Sequence, residues 1–367
     1  MTEPAAPPAW TPPPGWVPTP QGWVPPAALP RAQRPPATEG PLPFHRLYRG
    51  LAGYRWWRPV VAIVVAAAVY LALSLVYTLI LIGVAVATGQ LDLGSTVESA
   101  QDALYDFALN IDAANPVSLL LALGSIALML PSALLGQLAA GLRPLGVRHS
   151  VTFRIRWSWF AVSLLPAFVT VAAGTVIPVV GSLATGEAPF GAFTTEPALF
   201  VVCAVIILVV TPFQAAAEEY VFRGLFAQSL GAWVRFAPIG WIVTTALFVS
   251  GHAYDGWGLL SVGAFGLGAA IIATRTGGLE AGVALHSVNN ITGFLLLASG
   301  VQGTTVNPNV SSPDVLANLL SVGLALLTTA AWVFWVDRLA KRRKLEVVGV
   351  APARNSVDPV VPAAPSA

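Results

Sequence analysis

Eight stretches of the chain are almost free of polar side chains, at about 59–88, 116–142, 157–183, 198–217, 237–253, 258–273, 279–299 and 314–336. Most run roughly 17 to 30 residues without the alternation of a membrane β-strand, so they predict transmembrane helices. The fold class that follows is all-α: a polytopic membrane helix bundle with about eight transmembrane helices. Ahead of the first span the pattern breaks down. Residues 1–43 hold 15 of the 31 prolines and repeat Gly-Trp-Val-Pro at Gly15–Pro18 and Gly22–Pro25. Such a segment favours polyproline II and builds no core. It predicts a disordered Pro/Trp-rich tail over 1–55, whose Trp10, Trp16 and Trp23 are available to a lipid headgroup or a partner. The bundle is expected over 56–340, and a basic, then disordered, tail over 341–367. No cleavable signal peptide is expected, because the first apolar run starts only after residue 58.

Composition agrees with this pattern. Hydrophobic residues make up 56% of 367 and charged residues 10%, where a soluble domain carries about 25% charged. A water-soluble fold could not hide that much apolar surface. The single cysteine, Cys203, excludes a disulfide framework and a multi-cysteine metal site. A net charge of +2 does not suggest nucleic-acid binding.

The few charges sort by loop. Arg31, Arg34, Arg46, Arg49, Arg55 and Arg58 precede or open the first span, whereas the loop 89–115 carries Asp92, Glu98, Asp102, Asp106 and Asp112 and no cation. Arg143, Arg148, Arg154 and Arg156 fill the next loop; only Glu187 and Glu196 lie in the one after. Arg235 and Arg275 mark two later loops, and Arg338, Lys341, Arg342, Arg343 and Lys344 follow the last span. By the positive-inside rule, alternate basic loops predict a protein of the cell (plasma) membrane with both termini cytoplasmic.

Ionisable side chains inside such spans are expensive and mark functional candidates. Three motifs qualify. The first, Ala217-Glu218-Glu219-Tyr220-Val221-Phe222-Arg223, continues the fourth apolar run. On a helix, Glu219 and Arg223 are i and i+4 and can pair, while Glu218 is turned about 100° away, without a counter-ion nearby in sequence. An unpaired carboxyl in a low dielectric suits a general acid or base. The second motif is Phe248-Val249-Ser250-Gly251-His252. The third is His286-Ser287-Val288-Asn289-Asn290, in which His286 and Asn290 share a face and Glu280 lies one or two turns earlier. His45 and His149, beside arginines, are given no role.

Depth tests whether these motifs can meet. If the fourth helix continues past Arg223 and turns near Trp233–Val234, Glu218 lies 16 residues before that turn and His252 lies 18 after it. Their depths then match to within one helical turn, so the pair can face each other. His286 lies only about nine residues past Gly277-Gly278. It aligns only if that turn sits deep or its helix tilts, on the helical rise of about 1.5 Å per residue.

Two chemistries suit the set. Glu218, His252 and His286 can ligate a divalent metal such as zinc, whose bound water becomes the nucleophile. Alternatively, Glu218 and His252 activate water directly, while His286 and Asn290 donate to the tetrahedral oxyanion. Both hydrolyse an amide.

In their order on successive helices, Glu218-Glu219-x-x-x-Arg223, Phe248-x-x-x-His252 and His286-x-x-x-Asn290 resemble the CPBP intramembrane protease family, also called the ABI family, which includes the CAAX-processing type II prenyl endopeptidases. The resemblance covers about 198–300. It implies that Glu218 is the catalytic carboxylate and that His252 helps it to activate water or bind metal. His286 and Asn290 would complete the site, with Glu219 and Arg223 holding it together. It also implies a membrane-embedded or lipidated peptide or protein substrate within the bilayer. Two other classes use buried acids and histidines: a non-catalytic scaffold or immunity protein of the same fold, and a proton-coupled transporter. The ionisable set lies only in the C-terminal half, which disfavours the transporter.

Overall fold

The computed structural model describes residues 11–13, 15–20, 22–24, 40–306 and 314–350. The chain divides into two compact units, Met1–Glu39 and Gly40–Ala367. In the first, β1 (Val17–Thr19) pairs antiparallel with β2 (Gly22–Val24), Val17 opposite Val24. The remainder of the expected N-terminal tail up to residue 39, the loop 307–313 and the C-terminal tail from 351 lie outside the described residues.

The expectation of a structureless tail up to residue 55 needs correction. Leu42–Pro43 form β3, and Phe44–Gly50 form a 3-10 turn. Phe44, Leu47 and Tyr48 are fully buried among the helices. Apolar and aromatic residues recur there at i, i+3 and i+4, enough to dock one face of a short helix. β3 pairs antiparallel with β4 (Val348–Gly349), so the ends of the second unit are stitched together beneath the bundle.

The helices are α1 (Arg58–Ala87), α2 (Val97–Leu109), α3 (Pro116–Ala127), α4 (Met129–Ala139), α5 (Trp157–Thr185), α6 (Pro197–Glu219), α7 (Ala227–Trp233), α8 (Ala237–Ser250), α9 (Gly256–Thr276), α10 (Glu280–Ala298) and α11 (Val315–Arg342). Their starts follow local chemistry. Pro59, Pro116 and Pro197 sit in the first turn, where their missing N–H costs nothing. Asn115, Glu196, Asp255 and Asp314 accept from the first free backbone N–H groups. A capping box between Thr96 and Ser99 starts α2, a helix inside the acidic loop that the apolar pattern did not predict.

Among the described residues, seven helices are long and apolar enough to cross a membrane, with α3–α4 counted as one span and α6–α7 as another. The eighth expected span is the exception. The apolar run 237–253 yields only the 14 residues of α8, about 21 Å long at 1.5 Å per residue and short of a ~30 Å hydrocarbon core.

α6 does continue to Trp233, as the depth comparison required, but not as a regular helix. Residues Tyr220–Phe226, directly after the two glutamates, form a π-helical turn. Such turns recur at functional sites because they re-aim the side chains around them.

The α9–α10 connection sets the position of His286. Gly277 turns the chain with φ +70°, and a Cβ there would lie 2.9 Å from the Val347 Cα. Gly278 bridges to Ser150, and the Leu279 N–H donates to the His149 carbonyl at 3.1 Å. The turn thus lies under the 143–156 loop instead of at the surface, so α10 starts deep. Glu280 is drawn into the same junction: Arg156 Nη2 meets Glu280 Oε2 at 2.7 Å, and Arg156 Nε donates to Oε1 at 2.8 Å. Glu280 is a fastening for this turn and stands apart from the site.

Candidate active site

α6 and α10 pack side by side, and their polar residues meet across that contact. Glu219 is fully buried and pairs with Arg223 at 3.1 Å, one turn along the same helix. Arg223 Nη2 also donates to the Gly266 carbonyl of α9 at 2.8 Å, and its guanidinium lies 4.3 Å from the centre of the Phe248 ring. One arginine thereby ties α6, α8 and α9 together.

His286 of α10 sits between the two carboxylates. Its Nδ1 lies 3.1 Å from Glu219 Oε1, and its Nε2 lies 3.1 Å from Glu218 Oε2. Gly282, one turn earlier, makes room for this arrangement: a Cβ there would come within 3.0 Å of Glu219 Oε2. The expected meeting of the first and third motifs is observed, and the buried α9–α10 turn is its physical cause.

Glu218 is not left without partners. Gln214, one turn before it and 3% exposed, donates from Nε2 to Glu218 Oε2 at 2.8 Å. The other end of that amide, Oε1, accepts from Asn290 Nδ2 at 3.0 Å, and Asn290 Oδ1 accepts from Asn289 Nδ2 at 3.1 Å. Asn290 therefore reaches Glu218 only through Gln214. Gln214 was missed because it stands inside an otherwise apolar run; its i, i+4 spacing to Glu218 was the signal available.

His252 is placed less directly. The α8 helix ends at Ser250, and no hydrogen bond or ion pair among the described residues joins His252 to Glu218 or His286. This corrects the face-to-face expectation. What lies between is Phe248, whose ring centre is 4.6 Å from that of His252 and 5.9 Å from that of His286. The His252 Nδ1 is 2.9 Å from the Phe248 carbonyl, which can only accept, so Nδ1 is the donor. Tyr254, in the same turn, senses the site: burial pushes its phenol up, and the Glu218 carboxylate pushes it further.

Several polar atoms around this cluster are buried without a hydrogen-bond partner, among them Glu219 Oε2, Arg223 Nε, Thr211 Oγ1 and Ser287 Oγ. An apolar cavity of about 190 Å³ lies beside it between α1, α4 and the π-helical turn, lined by Ala66, Tyr70, Val221, Phe222 and Leu225 among others. Phe222 walls this cavity and packs edge-on against Phe248 at 5.3 Å.

The residues do not fit a metal cage. Among the described residues no group of three or more His, Cys, Asp or Glu side chains is spaced to hold a metal ion. Both ring nitrogens of His286 already face carboxylate oxygens at 3.1 Å. The trio Glu218, His252 and His286, expected as ligands under one of the two chemistries, is not assembled as one.

Residues 198–292 match the family model described as type II CAAX prenyl endopeptidase Rce1-like, which agrees with the CPBP resemblance of the three motifs. No curated protein and no solved structure matches the chain.

Proposed function

We propose that the Rce1-like domain at residues 198–292 makes this chain an intramembrane endopeptidase, hydrolysing a peptide bond of a membrane-associated protein or lipidated peptide. The observation that carries this reading is the clasp of His286 between Glu218 and Glu219. A ring nitrogen needs a proton to bond a carboxylate, so the ring donates from both sides as an imidazolium. Two carboxylates, one imidazolium and one guanidinium then balance in charge within a buried setting.

Glu218 Oε2 takes both donors, from Gln214 and His286. Oε1 remains to accept a proton from water. The water oxygen attacks the carbonyl carbon as that proton passes to Glu218, giving a tetrahedral oxyanion. The C–N bond then breaks, and the proton moves to the leaving amine. His252 is the second base at the site. Since both His286 N–H groups are engaged, the oxyanion donor is the second N–H of the Asn290 amide.

The test is cleavage of a fluorogenic prenylated CAAX peptide, beside a single-span helical peptide, by purified protein in liposomes. Glu218→Gln should lower turnover by about 10²- to 10⁴-fold, the usual contribution of a positioned general base. Equal turnover by the parent and Glu218→Gln removes the proposal.

A further inference from the structure

We infer that Gln214 is a positioning residue for hydrolysis, setting which oxygen of Glu218 meets water and coupling that carboxylate to Asn290; this rests on the hydrolytic reading above. None of the three motifs includes Gln214. Its amide is 3% exposed on a helix whose other residues before the glutamates are mostly apolar. A buried amide is costly unless both of its ends are bonded, and here both are.

The bonds also have a direction. Nε2 faces Glu218 Oε2 at 2.8 Å and Oε1 faces Asn290 Nδ2 at 3.0 Å. Reversing the amide would set its oxygen against the carboxylate and its NH₂ against the NH₂ of Asn290. Asn290 cannot turn to compensate without losing Asn289 Nδ2, which donates to its Oδ1 at 3.1 Å. The chain of amides therefore has one polarity, running from Asn289 at the exposed face of α10 to the buried carboxylate.

Two consequences follow for Glu218. Gln214 and His286 converge on the same oxygen, so the carboxyl group cannot rotate and Oε1 stays presented. A donor to the ionised form also favours that form, so removing it makes the carboxylate harder to ionise. For Asn290, Gln214 is the acceptor that holds one N–H and leaves the other free for the oxyanion.

The experiment uses the full-length protein in liposomes with the prenylated CAAX peptide, measuring kcat, KM and the pH profile of kcat/KM. Gln214→Met keeps the volume and deletes both bonds. It should lower kcat about tenfold with KM within about twofold, and move the acid limb up by about one pH unit, the scale of one hydrogen bond to a charged group. Gln214→Glu sets a second carboxylate against Glu218 and should move the acid limb further still; it serves if the Met variant does not fold. Gln214→Met and Asn290→Ala together should cost less than the product of their separate effects, because they break one chain. An unchanged acid limb and kcat in Gln214→Met or Gln214→Glu, with Glu218→Gln inactive, overturns the role of Gln214 and leaves the hydrolytic reading standing. If Glu218→Gln cuts as fast as the parent, the hydrolytic reading fails and the role of Gln214 fails with it.

Discussion

Two buried polar clusters flank the π-helical turn at Tyr220–Phe226, and they are built on opposite rules. On the α10 side, Glu218, Glu219, Arg223 and His286 are all ionisable groups bonded to one another. On the other side stands Arg148, fully buried, whose bonded partners are neutral: Nε donates to Gln137 Oε1 at 2.7 Å and Nη2 to the Tyr48 hydroxyl. Gln137 in turn donates to the Leu142 carbonyl at 2.8 Å, Gln228 to the Val147 carbonyl at 2.8 Å, and His149 bonds the Tyr220 hydroxyl. Burial lowers the pKa of Arg148 and raises that of Tyr48. The first cluster sets acids against bases. The second bonds neutral side chains to Arg148 and to main-chain carbonyls, which ties down the loop that carries Arg148. A polar group buried in a membrane bundle therefore need not be chemical; what marks the site is ionised groups that answer one another.

This contrast can be broken by removing each arginine. Arg223→Met leaves two buried carboxylates, Glu218 and Glu219, to share the single His286 ring and should cost about 3–5 kcal/mol. Arg148→Met strands only a hydroxyl and an amide while removing a desolvated charge, and should cost about 1–2 kcal/mol. Thermal unfolding in detergent measures both; equal losses would erase the distinction. A smaller effect is expected at Gly224, in the π-helical turn, where a Cβ would lie 2.9 Å from Arg148 Cγ. Gly224→Ala should cost about 1 kcal/mol, since the flexible arginine stem can shift. An unaffected melting temperature would show that Arg148 does not press on the turn.

The smallest effect is in pH. Burial is the largest influence on both His45 and His149 and lowers both from 6.5. A histidine buried neutral binds fewer protons than its unfolded form, so its contribution is full above about pH 6.5 and is lost as pH falls below it. The melting temperature should decline there, and less steeply in His149→Gln. A decline of the same slope in that variant would place the effect elsewhere.

How far the sequence carries depends on whether the determinant is local. Glu219 and Arg223, four residues apart, are paired at 3.1 Å as the helical spacing required. The long apolar helices follow from unbroken hydrophobic runs, seven of them realised at spanning length. Other features have no local signal. The apolar run 237–253 includes Gly251 and His252, which lie past the end of α8, so counting apolar residues overstated its length. The depth of His286 is fixed by the 143–156 loop closing over Gly277–Leu279, a contact between segments more than a hundred residues apart. The π-helical turn at Tyr220–Phe226 has no local sequence signal, and its Gly224 lies against Arg148. Gln214 was readable in principle, because a lone amide one turn from a buried carboxylate requires a reason to be there.

Everything proposed for the site depends on the His286 ring being held between two carboxylates. The chain has four histidines, so ¹⁵N spectra of histidine-labelled protein in bilayers, with His286→Asn as the subtraction, read that ring directly. The expected result is a ring protonated on both nitrogens at neutral pH, each in a strong hydrogen bond, with one of the two bonds altered in Glu218→Gln. A neutral ring with one bare nitrogen, unchanged by that substitution, would contradict the account.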